Sequence, residues 1–184
     1  MYFKKFIAIL SLFVFMTLPT ISVEAADKSN VAVMPFINQS ARKSTSSVES
    51  AIKNAYADVA QGIEDTDRFK TVTRDQDEME KLLMNMSHEH ESGLYDLSTI
   101  AQYGKYFGAQ YLVLGTVTEL AKEGDTTFAY LSLRMIKVET AEIFLSGRGK
   151  GKSSKGERDA MEKAVKDALN GKSGMITMFN RRGK

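Results

Sequence analysis

The chain has 184 residues, 43% hydrophobic and 26% charged, with a formal net charge of +2 and no cysteine. That length supports one ordinary domain, able to bury roughly 70% of its unfolded surface without a structural metal. The missing cysteines exclude a disulfide framework and a lipid-attachment site, and the near-neutral charge excludes a broad nucleic-acid-binding surface, so no nucleic-acid partner is expected.

Lys4 and Lys5 precede an apolar run from Phe6 to Leu18, and Pro19 leads to Val23-Glu24-Ala25. The 13 residues from 6 to 18 fall short of the about 20 that a membrane span needs. A positive start, a short apolar centre and small residues before position 26 predict a signal peptide over 1–25, cleaved after Ala25. The expected address is therefore periplasmic, soluble and not lipid-anchored. Losing Lys4, Lys5 and Glu24 takes the charge from +2 to +1, and a single α/β domain is expected over 26–171.

Val31-Ala-Val-Met-Pro-Phe36 is apolar on both faces, as suits a strand buried within a layered α/β structure, and Pro35 ends it. The polar stretch Asn38 to Ser47 reads as a loop whose last serines cap a helix. Val48, Ile52, Ala55, Val59 and Ile63 then recur at helical spacing. Phe69 to Val72 reads as a short strand, and a second helix follows near Thr73 or Asp75, with Met79, Leu82, Leu83 and Met86 on its core face.

His88 and His90 are the only histidines, and both sit among carboxylates. They are the candidate metal ligands, or the centre of an enzymatic alternative, but at i and i+2 they point to different sides of a helix. No matching set of ligands accompanies them, so no metal, no cofactor and no catalytic set is expected. Leu94 to Phe107 resumes a helical pattern, with Gly104 permitting close packing and Gly108 closing the helix.

Ala109 to Leu120 is the run expected to form the central strand. Tyr111, Val113, Gly115 and Val117 alternate with Leu112, Leu114, Thr116 and Thr118. Thr126 to Val138 puts Ala129, Leu131, Leu133 and Met135 on one face against Phe128, Tyr130, Ser132 and Arg134 on the other. A short reversal at Glu139-Thr140 leads into Ala141 to Gly149, which predicts an antiparallel hairpin. Gly147-Arg-Gly-Lys-Gly-Lys-Ser153 resembles a phosphate loop but falls one residue short of its spacing. It reads instead as a flexible, basic strand end in which Arg148, Lys150, Lys152 and Lys155 are the candidate partner-binding residues, with weak contact to anionic polymer or headgroups as a further possibility. Gly156 to Leu169 forms the closing helix, stopped by Asn170-Gly171, and 172–184 reads as a flexible basic tail. The fold class is thus α/β, a mixed sheet with a C-terminal antiparallel hairpin, flanked by helices.

In order and spacing, Val31–Phe36, Arg68-Phe-Lys-Thr-Val-Thr-Arg74, Gly108-Ala-Gln-Tyr-Leu-Val-Leu-Gly115 and Arg134 through Glu142-Ile143 to Gly147 resemble the CsgG/LpoB family. This family includes the curli secretion protein CsgG and the penicillin-binding-protein activator LpoB. The resemblance implies an anticodon-binding-domain-like fold used for protein contacts in the cell envelope, without catalysis, in secretion or envelope biogenesis. The implied partner is an envelope protein, with at most peripheral membrane contact and with a homo-oligomer left open. The chain departs from the CsgG pattern in lacking the lipid-site Cys and the two long membrane-threading hairpins. It departs from the family pattern in carrying Ala141 where a glycine is usual before Glu142.

Overall fold

The computed structural model describes residues 28–41, 45–72 and 97–182. The predicted signal peptide, the helix predicted after Thr73, and His88 and His90 lie outside the described residues. Along the chain come β1 (Ser29–Val33), β2 (Ile37–Asn38), α1 (Ser46–Glu64), β3 (Phe69–Thr71), α2 (Leu97–Tyr106), β4 (Tyr111–Glu123), β5 (Thr126–Lys137), β6 (Glu142–Ser153), α3 (Glu157–Asn170) and α4 (Met175–Arg182).

The strands make one mixed sheet in the order β3-β1-β4-β5-β6, with β2 beside β4. β1 pairs in parallel with β3 and β4, whereas β4, β5 and β6 are antiparallel. The run expected at the centre is therefore the middle strand. Val31, Ala32, Val33 and Met34 are all fully buried, as a strand with both faces covered requires. Pro35 interrupts β1, and the chain then rejoins the same edge of β4 as β2, because proline cannot donate to the ladder.

The inner face of the sheet carries the larger core. Val31, Val33, Val113, Val117, Leu131, Leu133 and Met135 meet the buried sides of α1 and α3 there. On α1 the buried residues Val48, Ala51, Ile52, Ala55, Val59 and Ile63 follow the helical repeat. Its N-cap is Thr45, one residue before the expected serines, and the Thr45 hydroxyl accepts from the Val48 N–H. The buried Tyr56 hydroxyl donates to the Val33 carbonyl at 3.2 Å, tying α1 to the end of β1. Among the described residues, the opposite, outer face is covered in part. Tyr103 and Phe107, in and just after α2, pack there on Ala32, Met34, Leu112, Ile136 and Val138. Gly104 admits this contact, since a Cβ there would lie 2.3 Å from Val138.

Two expectations are corrected. The Gly147–Ser153 stretch is not a flexible strand end but the paired C-terminal part of β6, and its alternate glycines face α3. A Cβ on Gly147, Gly149 or Gly151 would lie 2.2, 1.8 or 1.7 Å from the carbonyl oxygens of Ala168, Ala164 and Ala160 respectively. Three glycines two apart on a strand thus receive three alanines four apart on a helix, and the backbones nearly touch. The expected tail at 172–184 is likewise corrected over most of its length: Met175–Arg182 is helix α4, with Met175 buried in the core and Phe179 packed against Phe69 and Phe144.

The turn from β5 to β6 keeps the geometry that a glycine would give. Ala141 has φ 57° and its N–H bonds the Lys137 carbonyl at 2.9 Å. A left-handed alanine costs about 1–2 kcal/mol, and glycine gives back part of that through its freer unfolded chain. Ala141→Gly is therefore expected to stabilise the fold by about 0.5–1 kcal/mol, read as a rise in the urea midpoint. An unchanged or lower midpoint would contradict it.

Candidate functional site

β5 and β6 alternate faces, and the hairpin register sets their outer-face residues in rows. Arg134 lies opposite Ser146, Ser132 opposite Arg148, Tyr130 opposite Lys150, and Phe128 opposite Lys152. Beyond the area covered by α2, this part of the outer face carries no described helix. Arg134, Arg148, Lys150 and Lys152 are exposed on it, while Phe128, Tyr130 and Ser132 are half-buried.

The cations differ in how they are held. Lys150 Nζ sits 5.5 Å from the Tyr130 ring centroid and Lys152 Nζ 5.2 Å from that of Phe128. Both ammonium groups rest against the negative face of a ring, and their stems cover it. Arg134 and Arg148 have no ion pair or hydrogen bond from their guanidinium groups among the described residues. Between these rows the sheet is dented. The β4–β5 register shifts between Val117 and Glu119, so Thr118 bulges outward and its hydroxyl donates to the Tyr130 carbonyl at 3.4 Å. A depression of about 350 Å³ opens there, lined by Thr118, Tyr130, Ser132, Arg148 and Lys150.

β6 is an edge strand, and α3 blocks part of its open side. The Lys150 N–H donates to Asp167 at 3.0 Å, and Lys163 donates to the Lys152 carbonyl at 3.2 Å. Asp159 accepts from Lys163 at 2.7 Å and from the Ser153 hydroxyl. These bonds, the one from Lys163 first, hold its carboxyl below the usual carboxylate range. Such contacts leave fewer free backbone groups for strand addition, so the surface on offer is the side-chain face rather than the edge.

Of the four residues singled out by the sequence, the structure brings Arg148, Lys150 and Lys152 onto one face. Lys155 stands apart, in the turn before α3, where its N–H donates to the Ser153 hydroxyl. Arg134, Tyr130 and Phe128 complete the face and were not among the candidates. Their signal was the two-residue alternation of β5 read across the hairpin register.

A shallow concavity of about 820 Å³ runs along Gln39, Ala41 and Thr118 to Lys122, and two smaller ones carry paired charges. One of about 330 Å³ beside the β5–β6 turn includes Lys105, Gln110, Lys137 and Glu139, and there Lys137 is already paired with Glu139 at 2.9 Å. The other, about 240 Å³, runs between α1 and α3 and is lined by Asp58, Gln61, Asp65, Glu162 and Lys166, among others. Among the described residues no three His, Asp or Glu side chains gather as a metal site, and no helix is long and apolar enough to cross a membrane.

Comparison with known proteins bears on the fold and the family. No curated protein matches the sequence. Among solved structures, the PelC dodecamer from Paraburkholderia phytofirmans is similar at 13% identity and a TM-score of 0.52, over 78% of this chain and 88% of that one. Lipoprotein GNA1162 from Neisseria meningitidis is similar at 13% identity and 0.51, over 83% and 99%. The LpoB C-terminal domain from Escherichia coli aligns at 15% identity and 0.46, over 66% and 81%. At such identities the first two support the fold alone. The CsgG half of the resemblance finds no support in these comparisons. Its LpoB half does, because a family model for the peptidoglycan-synthase activator LpoB matches residues 11–150, and the chain belongs to that family.

Proposed function

We propose that this protein is a non-enzymatic envelope accessory that activates a peptidoglycan synthase by docking on it through the basic outer face of β5 and β6. The observation that carries the reading is the family match over residues 11–150. The choice of surface rests on chemistry. A protein that works by contact needs exposed groups not already satisfied at home, and the outer face supplies two guanidinium groups without a hydrogen bond or ion pair among the described residues, two lysines and two aromatic rings. Arginine and tyrosine are also the side chains most often found to dominate binding energy. Cations there favour a partner surface rich in carboxylates and speed the encounter.

The expected result is that the purified protein raises the glycan-polymerising rate of a peptidoglycan synthase, and that the triple variant Arg148→Glu, Lys150→Glu, Lys152→Glu abolishes the increase. Wild-type stimulation should fall as salt is raised, since charges separated by more than about 10 Å are screened at 0.1 M. Equal stimulation by the triple variant would remove the surface from the reading. No stimulation of any synthase by the wild type would remove the function.

A further inference from the structure

We propose that a second copy of this protein seats its α1–α3 groove on the basic rows of β5 and β6, head to tail. The two surfaces lie on opposite sides of one molecule: α1 and α3 cover the inner face of the sheet, while Arg148, Lys150 and Lys152 stand on the outer face. Each molecule therefore carries both halves of a complementary pair and cannot bring its own halves together.

The groove holds more carboxylates than cations: Asp58, Asp65 and Glu162 line it with Lys166, and Arg158 stands near enough to act on Asp58. Asp58 makes no hydrogen bond or ion pair among the described residues, and its carboxyl is held above the usual range by burial and then by the nearby Glu162. Glu162 is paired with Lys166 at 2.7 Å, and among the described residues the Asp65 carboxylate accepts from the amide of Gln61 alone, also at 2.7 Å. An incoming cation would add to the partial relief that Arg158 and Lys166 already give the Asp58–Glu162 repulsion.

The spacings are of the same order. Asp58 and Asp65 are seven residues apart on and just after α1, roughly 10 Å along the helix axis. Arg148 and Lys152 are four residues apart on a strand, roughly 14 Å, with Lys150 midway. The row of cations is thus about 4 Å longer than the row of carboxylates, a difference that long, flexible side chains can span, and the groove of about 240 Å³ has room for the end of an arginine or lysine side chain. A symmetric pairing would set cations against cations. The contact is instead heterologous, joining unlike surfaces, and repeats into a closed ring or an open filament. It occupies the face that the proposed function gives to the synthase, so its regulatory consequence rests on that reading: self-association and docking compete.

Sedimentation velocity on the purified protein tests the association without any synthase. The expected result is a sedimentation coefficient that rises with concentration at low salt and returns to the monomer value at high salt. A sheet-face variant (Arg148→Glu, Lys150→Glu, Lys152→Glu) and a groove variant (Asp58→Lys, Asp65→Lys) should each weaken association by about tenfold or more. Mixing the two variants should restore it, because each then offers the other a complementary surface, and that recovery also shows that both are folded. A monomer at every salt and concentration, or an association that neither variant weakens, overturns the proposal. The groove variant keeps the sheet face intact and should stimulate a synthase at least as well as the wild type. Stimulation lost in the sheet-face variant while the wild type stays monomeric would sink self-association alone. Salt-sensitive self-association without any stimulation would sink the proposed function alone.

Discussion

Gly151→Val is expected to cost about 3 kcal/mol or more of folding stability, beyond the usual cost of overpacking a core. The added Cβ would stand 1.7 Å from the Ala160 carbonyl oxygen and 2.8 Å from the Ala164 nitrogen. Both are backbone atoms of α3 and cannot rotate aside as a side chain could. Relief requires α3 to retreat, yet Gly147 and Gly149 hold the same helix nearly as close, at 2.2 and 1.8 Å, so the displacement spreads along the whole contact. Met161, Val165 and Leu169 of α3, each 1–2% exposed, would then lose packing against the inner face. The control is Lys150→Ala, on the same strand but facing outward, which should change stability by no more than about 0.5 kcal/mol. Urea unfolding distinguishes the two, at a slope of about 1–3 kcal/mol per molar. If Gly151→Val left the midpoint where it was, the close approach of strand and helix would be refuted.

That contact also shows where reading the sequence stops. The central strand, the hairpin, α1 and α3 were legible because each is declared by local alternation: Val31 to Met34 apolar on both faces, Tyr111 to Val117 with period two, Val48 to Ile63 with period near four. Glycine between charged residues declares nothing of the kind. Alone, Gly-Arg-Gly-Lys-Gly-Lys has low strand propensity and reads as loose chain; it becomes the second half of β6 because Ala160, Ala164 and Ala168, several residues later, form a helix surface small enough to approach so closely. The same limit applies to the site. Arg148, Lys150 and Lys152 were visible as an acid-free run, but the place of Arg134 and Tyr130 beside them depends on register. Register in turn depends on the shifts near Thr118 and between Met135 and Ile136, and such irregularities leave no mark in a hydropathy pattern.

The second large effect is expected at α4, where Met175→Ala should destabilise the protein by about 2–4 kcal/mol. Met175 is 1% exposed and sits where the strand-to-helix seam ends: its backbone nitrogen is 2.8 Å, and its Cβ 3.2 Å, from the position that a Cβ on Gly147 would take. Removing the thioether leaves a cavity at that point, and the neighbouring glycine has no side chain with which to fill it. α4 is only eight residues long, too short to be stable by its own hydrogen bonds, so it persists through its packing on the core, where Ile176 and Met178 lie beside two main attachments. Met175 is one. Phe179 is the other, with its ring centroid 5.2 Å from that of Phe69 and the Arg68 guanidinium 5.3 Å from its own. Since Phe179 is only half-buried, Phe179→Ala should cost less than Met175→Ala. A tail that merely trails from Gly171 predicts no change for either substitution, so equal urea midpoints for the wild type and both variants would return residues 175–182 to that description. A loss confined to Met175, with the Phe179 variant unchanged, would instead place the whole attachment at the Gly147 seam and make the aromatic contacts incidental.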